Sequence, residues 1–363
     1  MSRPALLDKL FQAGKWLLKP GLVPIDDVTI KRNQTQIYVA LDSLIRQGGG
    51  LAVGQDKRIY VDFSLMPTDA FEELLKSIRV PVWLTKNINI YVAPAGSDTL
   101  DEGRGLTEEK PFHTVQAAVS YASTTYNLYQ YNLYIRLAPG IYDLAWVELP
   151  DYSTSTGVIV ITGDDNEAES TIIGGIRNNL GGVYYVHNCT VRPSNSVAGN
   201  SVYAIQCTLG QIQLSNVVVD FQAAIGRSFS AVYVSNSGVV LVPAMSGGVP
   251  EGVKVNTPSQ DFVFLYVTGG RFSFSADLKT YGDTAIYENY GFCYVSNGGS
   301  VVRQASGAGA THPSRLPVVT AAGTITGKRY QASANGIINT NGAGADFFPG
   351  SIEGDTRYGG QYI

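Results

Sequence analysis

Asp283 and Glu288 stand five positions apart in the polar stretch KTYGDTAIYENYG, which also carries Tyr281, Tyr287 and Tyr290. Carboxylates accept hydrogen bonds from sugar hydroxyls, and aromatic rings stack on the apolar faces of sugars. The pattern is therefore that of a glycan groove. Two carboxyl groups held about 5–5.5 Å apart hydrolyse a glycoside with retention, and about 6.5–9.5 Å apart with inversion. Asp283 and Glu288 are the catalytic candidates on this reasoning, and Tyr281, Asp283, Tyr287, Glu288 and Tyr290 the glycan-binding candidates. The plainer reading is a loop between strands whose Asp and Tyr cap and cover it.

Other groups able to do chemistry are sparse. Between Gly175 and Ala310 the remaining acids are Asp220, Glu251, Asp261 and Asp277. Asp164, Asp165, Glu167 and Glu169 form the densest acidic cluster, but their spacing is not that of an EF-hand loop and fits a solvated turn. Asp98, Asp101 and Glu102 read as surface or turn residues. His113, His187 and His312 are far apart in sequence, so no metal site or triad is expected from them. The Gly-rich stretches 306–310 and 342–345 lack a phosphate-loop context and read as turns. Cys189, Cys207 and Cys293 show no CxxC spacing and read as buried reduced thiols. No cofactor is expected.

Forty Gly and 22 Tyr, with 15% charged residues, fit strands and tight turns over a helical bundle. The net charge of −4 argues against nucleic acid as the main partner. Residues 1–86 hold 12 Lys/Arg against 9 Asp/Glu, leaving the acidic excess to the rest of the chain. No run of about 20 apolar residues is present to span a bilayer, and the N-terminus lacks the pattern of a cleaved secretion signal.

The candidate site must be held by the elements around it, and these repeat. YVSNSG at Tyr233 returns as YVSNGG at Tyr294, with YVTGG at Tyr266 and looser echoes at Tyr185 and Tyr203. Each is a short apolar run that ends in a small or Asn/Gly turn and leads into another strand. Irregularly spaced strand–turn units of this size predict a solenoid in which each turn adds one layer.

Upstream of the repeats, residues 5–18 have helical spacing, 36–41 and 58–63 read as strands, and 70–78 as a second helix. This block, 1–86, is expected to be a small α+β module. From Asn87 the order is strand (NINIYVAP), polar loop, and an amphipathic helix in FHTVQAAVSYAS. That helix should bury Val115, Ala118, Val119 and Ala122, and strands follow it.

The segment IYVAPAGSD…EEKPFHTVQAAVSYA…LYIRLAPGIYD…VIVITGDD resembles the capping segment of right-handed parallel β-helix proteins of the pectin-lyase-like superfold. GTITGKRYQASANGIINTNGAGADFFPGSIEGDTRYGGQYI resembles the C-terminal tip of bacteriophage tail fibres and tailspikes. The two resemblances imply a mainly β chain: an attachment module (1–86), a capped right-handed parallel β-helix (87–310) and a β-rich tip (311–363), assembled as a homotrimer in the virion tail.

The expected function is host-surface recognition, by binding a bacterial surface polysaccharide or an outer-membrane receptor, with 1–86 joining other tail proteins. Two alternatives stand beside it: a depolymerase that hydrolyses capsule or O-antigen polysaccharide, and a connector that carries another receptor-binding protein.

Overall fold

The computed structural model describes residues 51–53, 59–61 and 82–363, apart from 152–155, 164–166, 195–200, 222–227, 245–250, 260 and 307–314. The chain forms two compact units, Met1–Val82 and Trp83–Ile363. In the first, Leu51–Val53 pairs antiparallel with Ile59–Val61. The helices expected over 5–18 and 70–78, the strand over 36–41, and thus most of the 1–86 module lie outside the described residues.

The second unit is a stack of parallel strands, compatible with a parallel β-helix. A first sheet runs from Ile88–Val92 through Leu133–Leu137 and Ile159–Thr162 to Ile337–Asn339 and Gln361–Tyr362. Past a bend in its longest strands, the same hydrogen-bonded network continues as a second face, the second sheet, which includes Thr171–Ile173, Glu251–Asn256, Asp277–Tyr281 and Val319–Ala322. A third has eight strands. Among the described residues the strands of this stack pair in parallel, as expected when each turn of the chain lies on the one before.

Local sequence explains the strands. In Leu133–Leu137 (LYIRL), Leu133, Ile135 and Leu137 are buried while Tyr134 and Arg136 face outward, the period of two that a strand requires. The inward residues then stack. Leu133, Ile159, Tyr184, Ile212, Val240, Phe272, Val301 and Ile338 share one register column on successive strands of the first sheet. All are buried, and each fully buried aliphatic or aromatic side chain contributes about 1.5–3 kcal/mol.

The residues assigned to a separate tip, 311–363, contain Val319–Ala322, Tyr330–Ala332, Ile337–Asn339 and Gln361–Tyr362, which extend the same three sheets. The phrase ANGIIN is another turn-and-strand of the stack: Ile338 continues the Val301 column and Tyr362 follows it.

Corners between sheets use left-handed residues. Val183–Val191 and Gln211–Asp220 each bend from the first sheet into the second, at Asn188 (φ 52°) and Asn216 (φ 48°). Asn tolerates that conformation better than most residues. The two side chains join across the rung, Asn216 Nδ2 donating to Asn188 Oδ1 at 3.0 Å. At the turn after Tyr233, Asn236 has φ 53°, and a Cβ on Gly238 would lie 2.2 Å from the Cys207 carbonyl oxygen. The recurring N-x-G therefore answers to a bend and to a close approach of the preceding rung.

At the N-terminal end of the stack, helix α1 (Val115–Thr125) buries Val115, Ala118, Val119 and Ala122, as its spacing predicts. Thr114 caps it by accepting from Ala117 N. Asp98 Oδ1 accepts from His113 N and Thr114 N, and Oδ2 from Thr114 Oγ1. Asp98 is thus a cap-building residue, and α1 covers apolar core that an open solenoid end would expose.

Candidate functional site

The third sheet orders its outward side chains into a column. Glu148, Arg177, Gln206, Tyr233, Tyr266, Tyr294, Gln331 and Asp355 occupy one register position on its eight strands. Seven steps at about 4.8 Å make a track about 34 Å long. Its middle is aromatic, and its ends are polar. Arg177 donates to Glu148 Oε1 at 2.8 Å and to Gln206 Oε1 at 3.1 Å. At the far end Lys328 Nζ donates to Gln331 Oε1 at 2.9 Å and to Asp355 Oδ2 at 3.4 Å.

The tyrosines form one continuous group. Ring centroids are 5.4 Å apart between Tyr233 and Tyr266 and 4.9 Å between Tyr266 and Tyr294. Tyr203, three residues upstream of the column on its own strand, stacks on Tyr233 at 4.5 Å. The 287–290 loop adds Tyr290, 5.0 Å from Tyr266 and 4.7 Å from Tyr294, and Tyr287, stacked on Tyr290 at 5.1 Å. All six rings are half-buried. Burial first, then neighbouring tyrosines, pushes the Tyr266 hydroxyl well above its ordinary pKa. Burial does the same for Tyr203. Both therefore act as neutral phenols that can donate and accept.

A line of small hydroxyl residues runs beside the rings. Ser235, Thr268 and Ser296 share a register position. Ser235 Oγ donates to Thr208 Oγ1 at 3.3 Å, and Asn297 Nδ2 to Thr268 Oγ1 at 2.8 Å. Rings flanked by fixed donors and acceptors suit a ligand with apolar faces and many hydroxyls.

Of the residues singled out from sequence, Tyr287 and Tyr290 join this group and Glu288 is exposed between them. Asp283 is exposed and accepts from Thr324 N at 2.6 Å on the next turn. Tyr281 belongs to the second sheet, between Asn256 and Ala322, with Lys279 Nζ 4.8 Å from its ring centroid. The group also draws in Tyr203, Tyr233, Tyr266 and Tyr294, which the carboxylate-centred reading passed over. Their signal was the Tyr that opens each repeated phrase.

Two of the other acids, Asp220 and Asp277, are tied into the scaffold. Asp220 takes Arg192 Nη2 at 2.7 Å and Nε at 3.0 Å. Asp277 takes Arg315 Nη2 at 2.9 Å and Val318 N at 3.0 Å. Glu167 and Glu169 line an open depression of about 490 Å³ with Asn216 and Lys254. Asp164, Asp165 and His312 lie outside the described residues. His113 is exposed at the start of α1, and His187 stacks on Tyr185, centroids 5.9 Å apart. Among the described residues no three of His, Cys, Asp and Glu gather as metal ligands, and no helix is long and apolar enough to cross a membrane. No known family, curated protein or solved structure matches the chain.

Proposed function

We propose that this chain is a bacteriophage tail fibre or tailspike protein that adheres to host-surface glycan along its tyrosine ladder. The ladder is the observation that carries the reading: six contiguous, half-open rings along a rigid parallel stack, bordered by hydroxyls and amides. A solenoid flank suits an extended polymer, because successive rungs present the same chemistry at constant spacing. The stack has the parallel-strand architecture that the pectin-lyase-like resemblance implies, and the right-handed sense follows from the general bias of parallel crossovers. In this reading residues 1–86 attach to other tail proteins, and a homotrimer presents three ladders, raising avidity without new contacts.

Adhesion is favoured over cleavage because Asp283 already holds a backbone N–H of the next turn, and Asp220 and Asp277 each hold an arginine. The test is to incubate the full chain with purified capsule and O-antigen polysaccharides and follow both retention and chain length. Retention without shortening is expected. Shortening abolished by Asp283→Asn or Glu288→Gln would make the protein a depolymerase. Neither retention nor shortening would sink the glycan reading and favour the connector.

A further inference from the structure

We infer that the polymer held on this face is electrically neutral: a polysaccharide whose repeat carries hydroxyls but no carboxylate, phosphate or sulfate. This rests on the adhesin reading above and narrows it to a ligand class.

The charge pattern of the third sheet is the ground for it. Its strands Ser201–Cys207, Ser228–Ser235, Phe262–Thr268, Cys293–Ser296 and Tyr330–Ala332 contain no Asp, Glu, Lys, Arg or His. The other sheets differ. On the second, Lys254 and Lys279 stand in register, and on the first Phe274 pairs with Arg303. The outward face of the third sheet has been kept free of formal charge over the span where its rings lie.

Where charge resumes, it is already neutralised. Arg177 is bound to Glu148 at 2.8 Å at one end of the track, and Lys328 to Asp355 at 3.4 Å at the other. Neither cation is held out for an anionic ligand. Among the described residues, the charge in the loop that carries Tyr287 and Tyr290, Glu288, is negative and exposed. A polyanion laid here would lose hydration without gaining a cation, and would meet Glu288 within a screening length of about 8–10 Å. A neutral glycan meets matched partners: ring surface for its C–H faces, and the half-buried Gln206 and Thr268 for its hydroxyls.

The test uses the full chain and a panel of purified bacterial capsule and O-antigen polysaccharides, grouped as neutral or anionic by repeat unit. Each anionic member is also prepared in carboxyl-reduced form. Retention is followed by affinity electrophoresis at low and high salt, and assembly by light scattering. Expected are retention of a neutral polysaccharide with little salt dependence and loss of about tenfold in affinity for Tyr233→Ala or Tyr266→Ala, the weight of one aromatic contact. Tyr266→Phe should retain most binding, which controls for folding.

Retention of an anionic polysaccharide that disappears on carboxyl reduction or at high salt would overturn neutrality and leave the adhesin reading standing. Retention of neither class would sink that reading and this one together. Tyrosine variants that bind normally, or that dissociate the assembly, would remove the ligand from the ladder.

Discussion

Tyr233 and Tyr266 occupy the same register position on adjacent strands, with ring centroids 5.4 Å apart and planes tilted by 42°. Tyr266 also meets Tyr290 and Tyr294 at 5.0 and 4.9 Å, so it has three aromatic neighbours in the ladder, as Tyr290 does. With three such pairs at about 0.5–1.5 kcal/mol each, Tyr266→Ala should destabilise the fold by roughly 1.5–4.5 kcal/mol in urea melts. Tyr266→Phe keeps the rings and should cost under about 1 kcal/mol, the net value of one half-exposed hydroxyl. Equal losses for the two variants would mean that ring contacts do not hold the ladder.

The Asn188–Asn216 corner invites a different comparison. Asn216 combines a left-handed backbone (φ 48°) with a side-chain hydrogen bond of 3.0 Å to Asn188. Asn216→Gly removes only the bond and should cost about 0.5–1.5 kcal/mol. Asn216→Val removes the bond and also forces a β-branched residue into the left-handed region, adding about 1–2 kcal/mol. Chemical denaturation of the pair checks it. A valine variant as stable as the glycine variant would show that the corner relaxes without strain.

How far the sequence reveals the fold follows from these same residues. The helix face at Val115, Ala118, Val119 and Ala122 is legible because its period is local, and all four are buried. The repeated Tyr phrase is legible as a strand and a corner for the same reason. Its phase is not. Tyr185 lies on the first sheet, paired with Val160 and Gln213, and it is Gln206, not Tyr203, that shares a register with Tyr233. Corner loops vary in length, so equal steps in space are unequal in sequence. Which tyrosines share a face is a question of register between distant strands, and register is set by the stacked core. The same limit separates Tyr281 from Tyr287: six residues apart in sequence, they serve different faces because the chain turns a corner at Gly282.

Asp220 is expected to be a stability residue. Its side chain is 5% exposed and receives two hydrogen bonds from Arg192. Removing one partner of a buried pair strands the other charge, at a cost of about 3–5 kcal/mol when fully enclosed. Arg192 retains 21% exposure and can reach water, so Asp220→Ala should cost about 2 kcal/mol. The double variant Arg192→Met/Asp220→Leu should be milder than the single one, because no charge is left unpaired. Urea melts of the three proteins decide it, and a double variant worse than Asp220→Ala would contradict the argument.

The three cysteines are all buried and free, and burial pushes their thiols up from an ordinary value of 9.0: Cys189 to about 12, Cys207 to about 11, and Cys293 also upward. The folded protein therefore holds them as neutral thiols, whereas the unfolded chain ionises them near pH 9. A group raised on folding contributes stability that is whole below its unfolded value and is lost as pH rises through its folded one. The melting temperature should accordingly be insensitive to these groups below pH 9 and fall between about pH 9 and 12. Cys189→Ala leaves a small cavity but removes one of these titrations, so its loss across that window should be shallower than the parent's. At pH 8 the native thiols should resist a disulfide reagent and react fully once urea unfolds the chain, since the thiolate is the reactive form. Rapid labelling of the native protein, or a parallel alkaline loss in Cys189→Ala, would show that the interior of the stack is open to water.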